Sequence, residues 1–143
     1  MSLQTTYDDE NIFARIIRGE MPKIAVYEDE DTLAFMDVFP QAEGHTLVIS
    51  KHARSTNLLD MPADALAQVM ATAQKVAGGI VKALAPDGFR IVQFNGAPAG
   101  QTVYHTHVHI IPVWEGRSLR PHGTDMAPTE DLQATAEKIK HAL

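Results

Sequence analysis

The sequence predicts an α+β domain: an antiparallel sheet of about five strands carrying one long and two shorter helices. Three observations point there. Five short segments rich in residues that favour a pleat are joined by tight turns, which suits antiparallel neighbours better than a doubly wound sheet. One long apolar stripe at steps of three and four, within residues 62–84, marks a helix lying on that sheet. The chain has 143 residues, the length of a single domain.

Taken in order, Ile12, Phe13, Ile16 and Ile17 recur at helical spacing behind Asp8 and Asp9, which are expected to cap a helix of about two turns that Gly19 closes. Residues 1–9 before it are expected to be disordered. Residues 23–29 and 32–38 read as a hairpin across acidic turn residues, and residues 45–50, entered through Gly44, as a third strand. In the long helix, Leu66, Val69, Met70, Ala73, Val76, Ala77, Ile80, Val81 and Leu84 form the stripe, Asp60 is expected to cap it, and Pro86 with Gly88 ends it. Such a one-sided stripe is core rather than a cofactor box. Residues 89–94 and 105–113 are the last strands. Residues 115–143 form a C-terminal extension ending in a helix over 129–142, with Glu130 and Asp131 in its first turn and Lys138, Lys140 and His141 in its last, matching the macrodipole.

Composition removes several function classes. The chain is 45% apolar and 21% charged, with no cysteine, which excludes a disulfide scaffold and any thiolate zinc site. Residues 1–43 carry ten acids and three bases, whereas the remainder holds eight and nine. No cationic stripe suits a nucleic acid polymer, although a small anion fits a local pocket. No apolar run approaches a membrane span and the N-terminus does not resemble a signal peptide, so the sequence reads as a cytoplasmic protein with no membrane partner.

The chemistry concentrates at His105, His107 and His109, three of seven histidines. On a strand, alternate side chains share a face, so the three imidazoles line one side while Thr106, Val108 and Ile110 point to the other. Three readings compete. A zinc ion is one, but the first and third histidines of a straight strand lie about 13 Å apart, against bonds of about 2.0–2.1 Å; a third ligand would have to come from elsewhere, such as His45. Covalent catalysis by one imidazole, with neighbours orienting it or moving protons, is the second. Three merely structural histidines are the third. The preceding loop, residues 95–102, tilts the balance toward phosphorus chemistry: two glycines allow close backbone approach, and Asn95, Gln101 and Thr102 offer neutral donors. It is not a Walker A loop, and no carboxylate cluster stands near to hold magnesium.

The run Gln101-Thr102-Val103-Tyr104-His105-Thr106-His107-Val108-His109-Ile110-Ile111 resembles the signature of the histidine triad family of nucleotide hydrolases and transferases. Residues 12–20, 33–37, 44–49 and 94–96 resemble segments of its Hint branch, in family order, so that roughly residues 10–114 are covered. The resemblance implies the HIT-like fold and a set of roles. His107 would attack the α-phosphorus of a nucleotide and become a covalent nucleotidyl-histidine, its other ring nitrogen held as N–H by a main-chain carbonyl. His109 would bond the leaving group or a phosphate oxygen, and His105 and His45 would position the row. Asn95, Gln101 and Thr102 would hold phosphate oxygens; Asp37 would accept the ribose hydroxyls; Phe13, Phe35 and Val38 would wall the base. Against these stand plainer readings: Asp37 as a turn acid and the three apolar residues as core. His52, His122 and His141 fall outside the matched positions and read as surface residues.

The family resemblance further implies a purine nucleotide as ligand, a homodimer as the assembly, and no cofactor. Many bacterial relatives carry cysteines of a structural zinc site near the first helix; here Asn11 and Ala14 stand in that region, so no such zinc is expected. Two substrate classes compete, nucleoside 5′-phosphoramidates (as adenosine or another purine nucleotide) and dinucleoside polyphosphates, the latter because the stretch before the triad looks like the Fhit branch. A nucleotide-binding sensor or adaptor with incidental hydrolysis is the reading from another class.

Overall fold

The computed structural model describes Leu3, residues 5–121, Gly123 and residues 125–143; His122 lies outside the described residues. Five strands form one antiparallel sheet: β1 (Ala25–Glu28), β2 (Thr32–Met36), β3 (Thr46–Ser50), β4 (Gly88–Val92) and β5 (His107–Val113), in the order β1-β2-β3-β5-β4. Three helices, α1 (Ile12–Ile17), α2 (Ala63–Leu84) and α3 (Thr129–His141), complete it. The expected α+β class and antiparallel sheet are observed. No helix among the described residues is long and apolar enough to cross a membrane.

The inner strands β2, β3 and β5 are buried on both faces, with different partners. Toward α2 and α3 the sheet presents Val26, Ala34, Met36, Val48, Val108 and Ile110, packed on Val69, Ala73, Val76, Ala77 and Ile80 of α2 and on Leu132, Ala136 and Ile139 of α3. Each such aliphatic side chain contributes about 1.5–3 kcal/mol when fully buried. Met70 and Val81, at the margins of the α2 stripe, remain exposed, so the stripe is wider than the surface it covers. The opposite face carries Leu33, Phe35, Leu47 and Ile49, covered mainly by Phe13 and Ile16 of the six-residue α1, with Ile17, Met21 and Val103 packed at its margins. This thinly roofed face is where the histidines emerge. Leu47 pairs with His109 and Ile49 with His107, while Val48 pairs with Val108, so period-two alternation sends one set to the core and the imidazoles to the other side.

Local details differ from the sequence reading. Asn11, not Asp8 or Asp9, caps α1, its side-chain oxygen accepting from the N–H of Ala14 at 2.9 Å. Asp8 instead closes the preceding turn onto Glu10 N–H, and Asp9 is engaged by Arg54. Asp60 does not cap α2. Its carboxylate accepts from the N–H groups of Thr56 and Asn57, forming a capping box on the short 3-10 turn Leu58–Asp60, and α2 begins after Pro62 with no side-chain cap. Within residues 5–9, Tyr7 reaches His105 and Asp9 reaches Arg54. The last strand starts at His107, two residues later than expected, leaving His105 in the bend before it.

Gly44 links the two halves of the architecture. It adopts φ +88°, and a β-carbon there would lie 2.5 Å from Leu84 Cδ1 and 3.2 Å from Pro112 Cγ. The turn into His45 thus needs both a left-handed backbone and a bare α-carbon against the end of α2. Gly44→Ala is expected to destabilise the fold by about 1–3 kcal/mol; a urea midpoint unchanged from the parent would reject this account of the turn.

Candidate active site

Four buried histidines cluster on the thin face. His105, His107 and His109 are 2%, 6% and 2% exposed, and His45 is completely buried. Their rings step along the site: His107 and His109 have centroids 4.9 Å apart, and His45 and His109 are 5.2 Å apart. Phe13 stands edge-on to His107 at 5.0 Å and to His105 at 6.2 Å, while Phe94 meets His109 at 5.4 Å.

Main-chain partners settle where the protons sit, because an amide N–H only donates and a carbonyl only accepts. The N–H of Gln41 donates to His45 Nδ1 at 3.0 Å. His45 therefore keeps Nδ1 as an acceptor and carries its single proton on Nε2. That proton faces His109 Nδ1 at 2.9 Å, with Asp37 Oδ2 3.4 Å from the same nitrogen. His109 then accepts at Nδ1, and its own proton in the neutral ring lies on Nε2, away from His45. His107 is set the other way: Nδ1–H donates to the carbonyl of His105 at 2.7 Å, leaving the lone pair of the neutral ring on Nε2. The row therefore alternates a nucleophilic nitrogen at His107 with an N–H donor at His109.

His105 is held at both nitrogens. Nε2–H donates to the Ser50 carbonyl at 3.3 Å, and the Tyr7 hydroxyl donates to Nδ1 at 2.7 Å. Burial pushes its pKa down to about 4, outweighing the opposing effect of the Ser50 hydrogen bond, and the nearby His107 adds to the depression.

The remaining expected residues divide. Phe13 and Phe35 meet at 5.3 Å in a T-shaped pair beside the histidines, and Val38, two residues beyond the end of β2, is 40% exposed. Asp37 is buried; one carboxylate oxygen accepts from the N–H of Phe39 and the other approaches His45. Thr102 is exposed. Asn95 is half-buried with its side-chain oxygen taken by the N–H of Leu58 and by Gln93, so its NH2 group is what it can offer a ligand. Gln101 does not fit the expected role. Its amide donates to the carbonyls of Thr56 and Val103 and accepts from the N–H of Gly96. Both donors are spent inside the loop, which makes Gln101 a strut of the loop rather than a phosphate contact.

Asp37, His45 and His109 each offer a ligand atom within 4.8 Å of one another, which bears on the zinc reading. The group omits His105 and His107, and the chemistry disfavours a cation. For His45 to ligate through Nε2 its proton would have to move to Nδ1, directly opposite the Gln41 N–H. His45 Nε2–H instead faces both His109 Nδ1 and Asp37 Oδ2.

The sequence reading overlooked several contributors. Gln41 and Ser50 act through main-chain atoms and leave no side-chain signal. The tail braces the same loop: Arg120 N–H donates to the Gln41 carbonyl, the Gln41 amide donates to the Arg120 carbonyl, and Ala127 N–H donates to the Val38 carbonyl. Arg117 stacks 5.1 Å over the ring of Trp114. Ser55 and Thr106 join their hydroxyls at 2.7 Å and anchor the approach to β5.

The low pKa of His105 has a consequence for stability. Above pH 6.5 the ring is neutral whether the chain is folded or not. Between 6.5 and about 4 the unfolded chain takes up a proton that the folded one refuses, so stability falls as pH drops through that window, by up to about 3 kcal/mol. His105→Asn, which cannot titrate, is expected to lose markedly less stability between pH 7.5 and 4.5; equal losses in urea denaturation would refute the buried neutral ring.

Comparison with known proteins agrees with this geometry. Residues 18–116 match the HIT domain family. Adenylylsulfatase HINT3 of Arabidopsis thaliana is 38% identical over 82% of this chain, which spans 62% of that protein's length. Adenosine 5′-monophosphoramidase HNT1 of Saccharomyces cerevisiae is 37% identical over 82% of this chain and 72% of its own. Among solved structures, a Hit-like protein of Bartonella henselae, described as involved in cell-cycle regulation, superimposes with a TM-score of 0.92 at 50% identity, covering 97% of this chain and 100% of that one. With the paired imidazoles and the sheet that carries them in view, the chain belongs to the histidine triad (HIT) family.

Proposed function

We propose that the protein hydrolyses nucleotides at the α-phosphate, with nucleoside 5′-phosphoramidates of adenosine or another purine as the substrate class and His107 as the nucleophile. The observation that carries this reading is the bond from His107 Nδ1–H to the His105 carbonyl at 2.7 Å, which leaves Nε2 nucleophilic beside the donor His109. Two related enzymes named for cleaving adenylyl compounds support it, an adenylylsulfatase and an adenosine monophosphoramidase.

In the first displacement the Nε2 lone pair forms a bond to phosphorus and the P–N bond breaks, its electron pair leaving with the nitrogen, which takes up a proton from solvent. His109 Nε2–H stabilises the departing atom or a phosphate oxygen. The phosphorylated imidazole keeps its Nδ1–H on the His105 carbonyl, which accommodates the positive charge of the ring. In the second, a water oxygen bonds to phosphorus and gives up a proton to solvent while the P–Nε2 bond breaks, its electron pair returning to His107 and the nucleoside monophosphate leaving. Thr102 and the NH2 of Asn95 take phosphate oxygens, Asp37 takes ribose hydroxyls, and Phe13, Phe35 and Val38 receive the base.

We also propose a homodimer. The edge strand β4 exposes Phe89 and Ile91, 45% and 41% accessible, and α2 exposes Met70 and Val81, both 41%; apolar side chains beside an unpaired strand edge suit a second copy. Light scattering is expected to give twice the chain mass, and a monomer at micromolar concentration would reject the assembly.

His107→Ala is expected to lower phosphoramidate turnover at least ~10³-fold while AMP binding by calorimetry stays within about threefold of the parent. Rapid-quench mass spectrometry of the parent is expected to catch a nucleotidyl adduct on His107; turnover that survives the substitution removes the assignment. Asp37→Ala is expected to weaken AMP binding about tenfold or more while leaving 2′,3′-dideoxy-AMP binding little changed. Equal losses for the two ligands would reject the ribose role. Turnover of adenosine phosphoramidate is expected to exceed that of diadenosine polyphosphates, the reverse order favouring the competing substrate class.

A further inference from the structure

We infer that Tyr7 is a positioning residue for the nucleophilic imidazole of His107, acting through His105. The inference rests on the reading of His107 given above and adds a residue outside every segment that suggested it.

The segment before α1 is tied to the site at three points. The Leu3 carbonyl accepts from Asn57 Nδ2 at 2.7 Å. Asp9 receives a two-pronged bond from Arg54, Nε at 2.8 Å and Nη2 at 2.7 Å. Between them, Tyr7 lies half-buried with its ring 5.7 Å from that of His105, and the Arg54 guanidinium stacks 5.2 Å from its centroid. Its hydroxyl donates to His105 Nδ1 at 2.7 Å. Burial raises the pKa of Tyr7 above its ordinary value, so the hydroxyl keeps its proton as a donor through the neutral range.

The site needs this contact because of where His105 sits. Its carbonyl orients the nucleophile, yet it precedes the ladder: the first β3–β5 pair is Ile49 with His107. The peptide bearing that carbonyl is held on one side by Thr106 N–H on the Ser55 carbonyl at 2.9 Å. On the other side, among the described residues, the anchor is the His105 ring, packed edge-on by Phe13 and clamped between Tyr7 and the Ser50 carbonyl. Removing the hydroxyl leaves a buried ring nitrogen without its donor and frees the ring to tilt, and the carbonyl that aims His107 moves with it.

Tyr7→Phe in the full-length protein deletes the one oxygen and keeps the aromatic packing. With an adenosine phosphoramidate as substrate, kcat is expected to fall about three- to tenfold, the cost of one hydrogen bond, with KM within about twofold because Tyr7 is assigned no nucleotide contact. Nitrogen-15 spectra of the free protein are expected to show the His105 Nδ1 resonance losing its hydrogen-bonded shift and the His107 Nδ1–H signal moving or broadening. Arg54→Ala, which loosens the segment without touching a histidine, is expected to shift the same signals by less. Unchanged kcat together with unchanged imidazole spectra overturns the inference. So does a rise in KM with an undisturbed His107 signal, which would place Tyr7 on the nucleotide. Should His107 prove not to be the nucleophile, the spectra still report the Tyr7–His105–His107 connection, so the two failures are separable.

Discussion

Four imidazoles lie almost completely buried in one small region, and groups of fixed hydrogen-bonding sense determine what each one is. Gln41 N–H obliges His45 to accept at Nδ1, the Ser50 carbonyl obliges His105 to donate at Nε2, and the His105 carbonyl obliges His107 to donate at Nδ1. A buried imidazole with interchangeable partners populates both tautomers; one facing an amide or a carbonyl has no such choice. Everything the site does chemically follows from the resulting order, in which a nitrogen lone pair and an N–H stand side by side on neighbouring rungs of a rigid strand. The partners are backbone atoms of loops and strands already held by the core, so the order is preset in the fold.

The two-faced sheet explains how so polar a cluster coexists with a stable fold. One face of β5 puts Val108 and Ile110 against α2, while the alternate residues carry the imidazoles. The face that contributes most to cohesion is not the face that reacts, and the roof over the latter is a six-residue helix supplying mainly Phe13 and Ile16. A larger roof would bury more apolar area and close the approach to His107.

Much of this was legible in the residues. Alternation in 105–113 separated histidines from valine and isoleucine, and the spacing in 62–84 located the helix that packs beneath them, because both patterns are direct consequences of strand and helix geometry. What escaped did so for physical reasons. Gln41, Ser50 and Thr106 take part through N–H and C=O groups that every residue possesses, so their identity carries no hint. Gln101 looks like a ligand in the sequence because an amide can face a phosphate or its own loop equally well, and only the three-dimensional path of residues 96–103 shows the second. Asp60 and Asp8 stand at suitable distances from helix starts, but short turns nearer to them claim their carboxylates first. Tyr7 sits in a polar, acid-rich stretch with no periodicity, and its partner is 98 positions away.

The clasp between residue 41 and the tail has its own implication. Arg120 meets Gln41 through main-chain atoms on its side, and Ala127 meets Val38 through main-chain atoms on both. Such a seam is indifferent to which side chains the tail displays. Residues 115–121 and 125–127 can therefore exchange side chains over evolutionary time, giving new surface chemistry at the border of the histidine-bearing face, while the backbone stitching beside His45 survives every exchange that keeps those N–H and C=O groups in place.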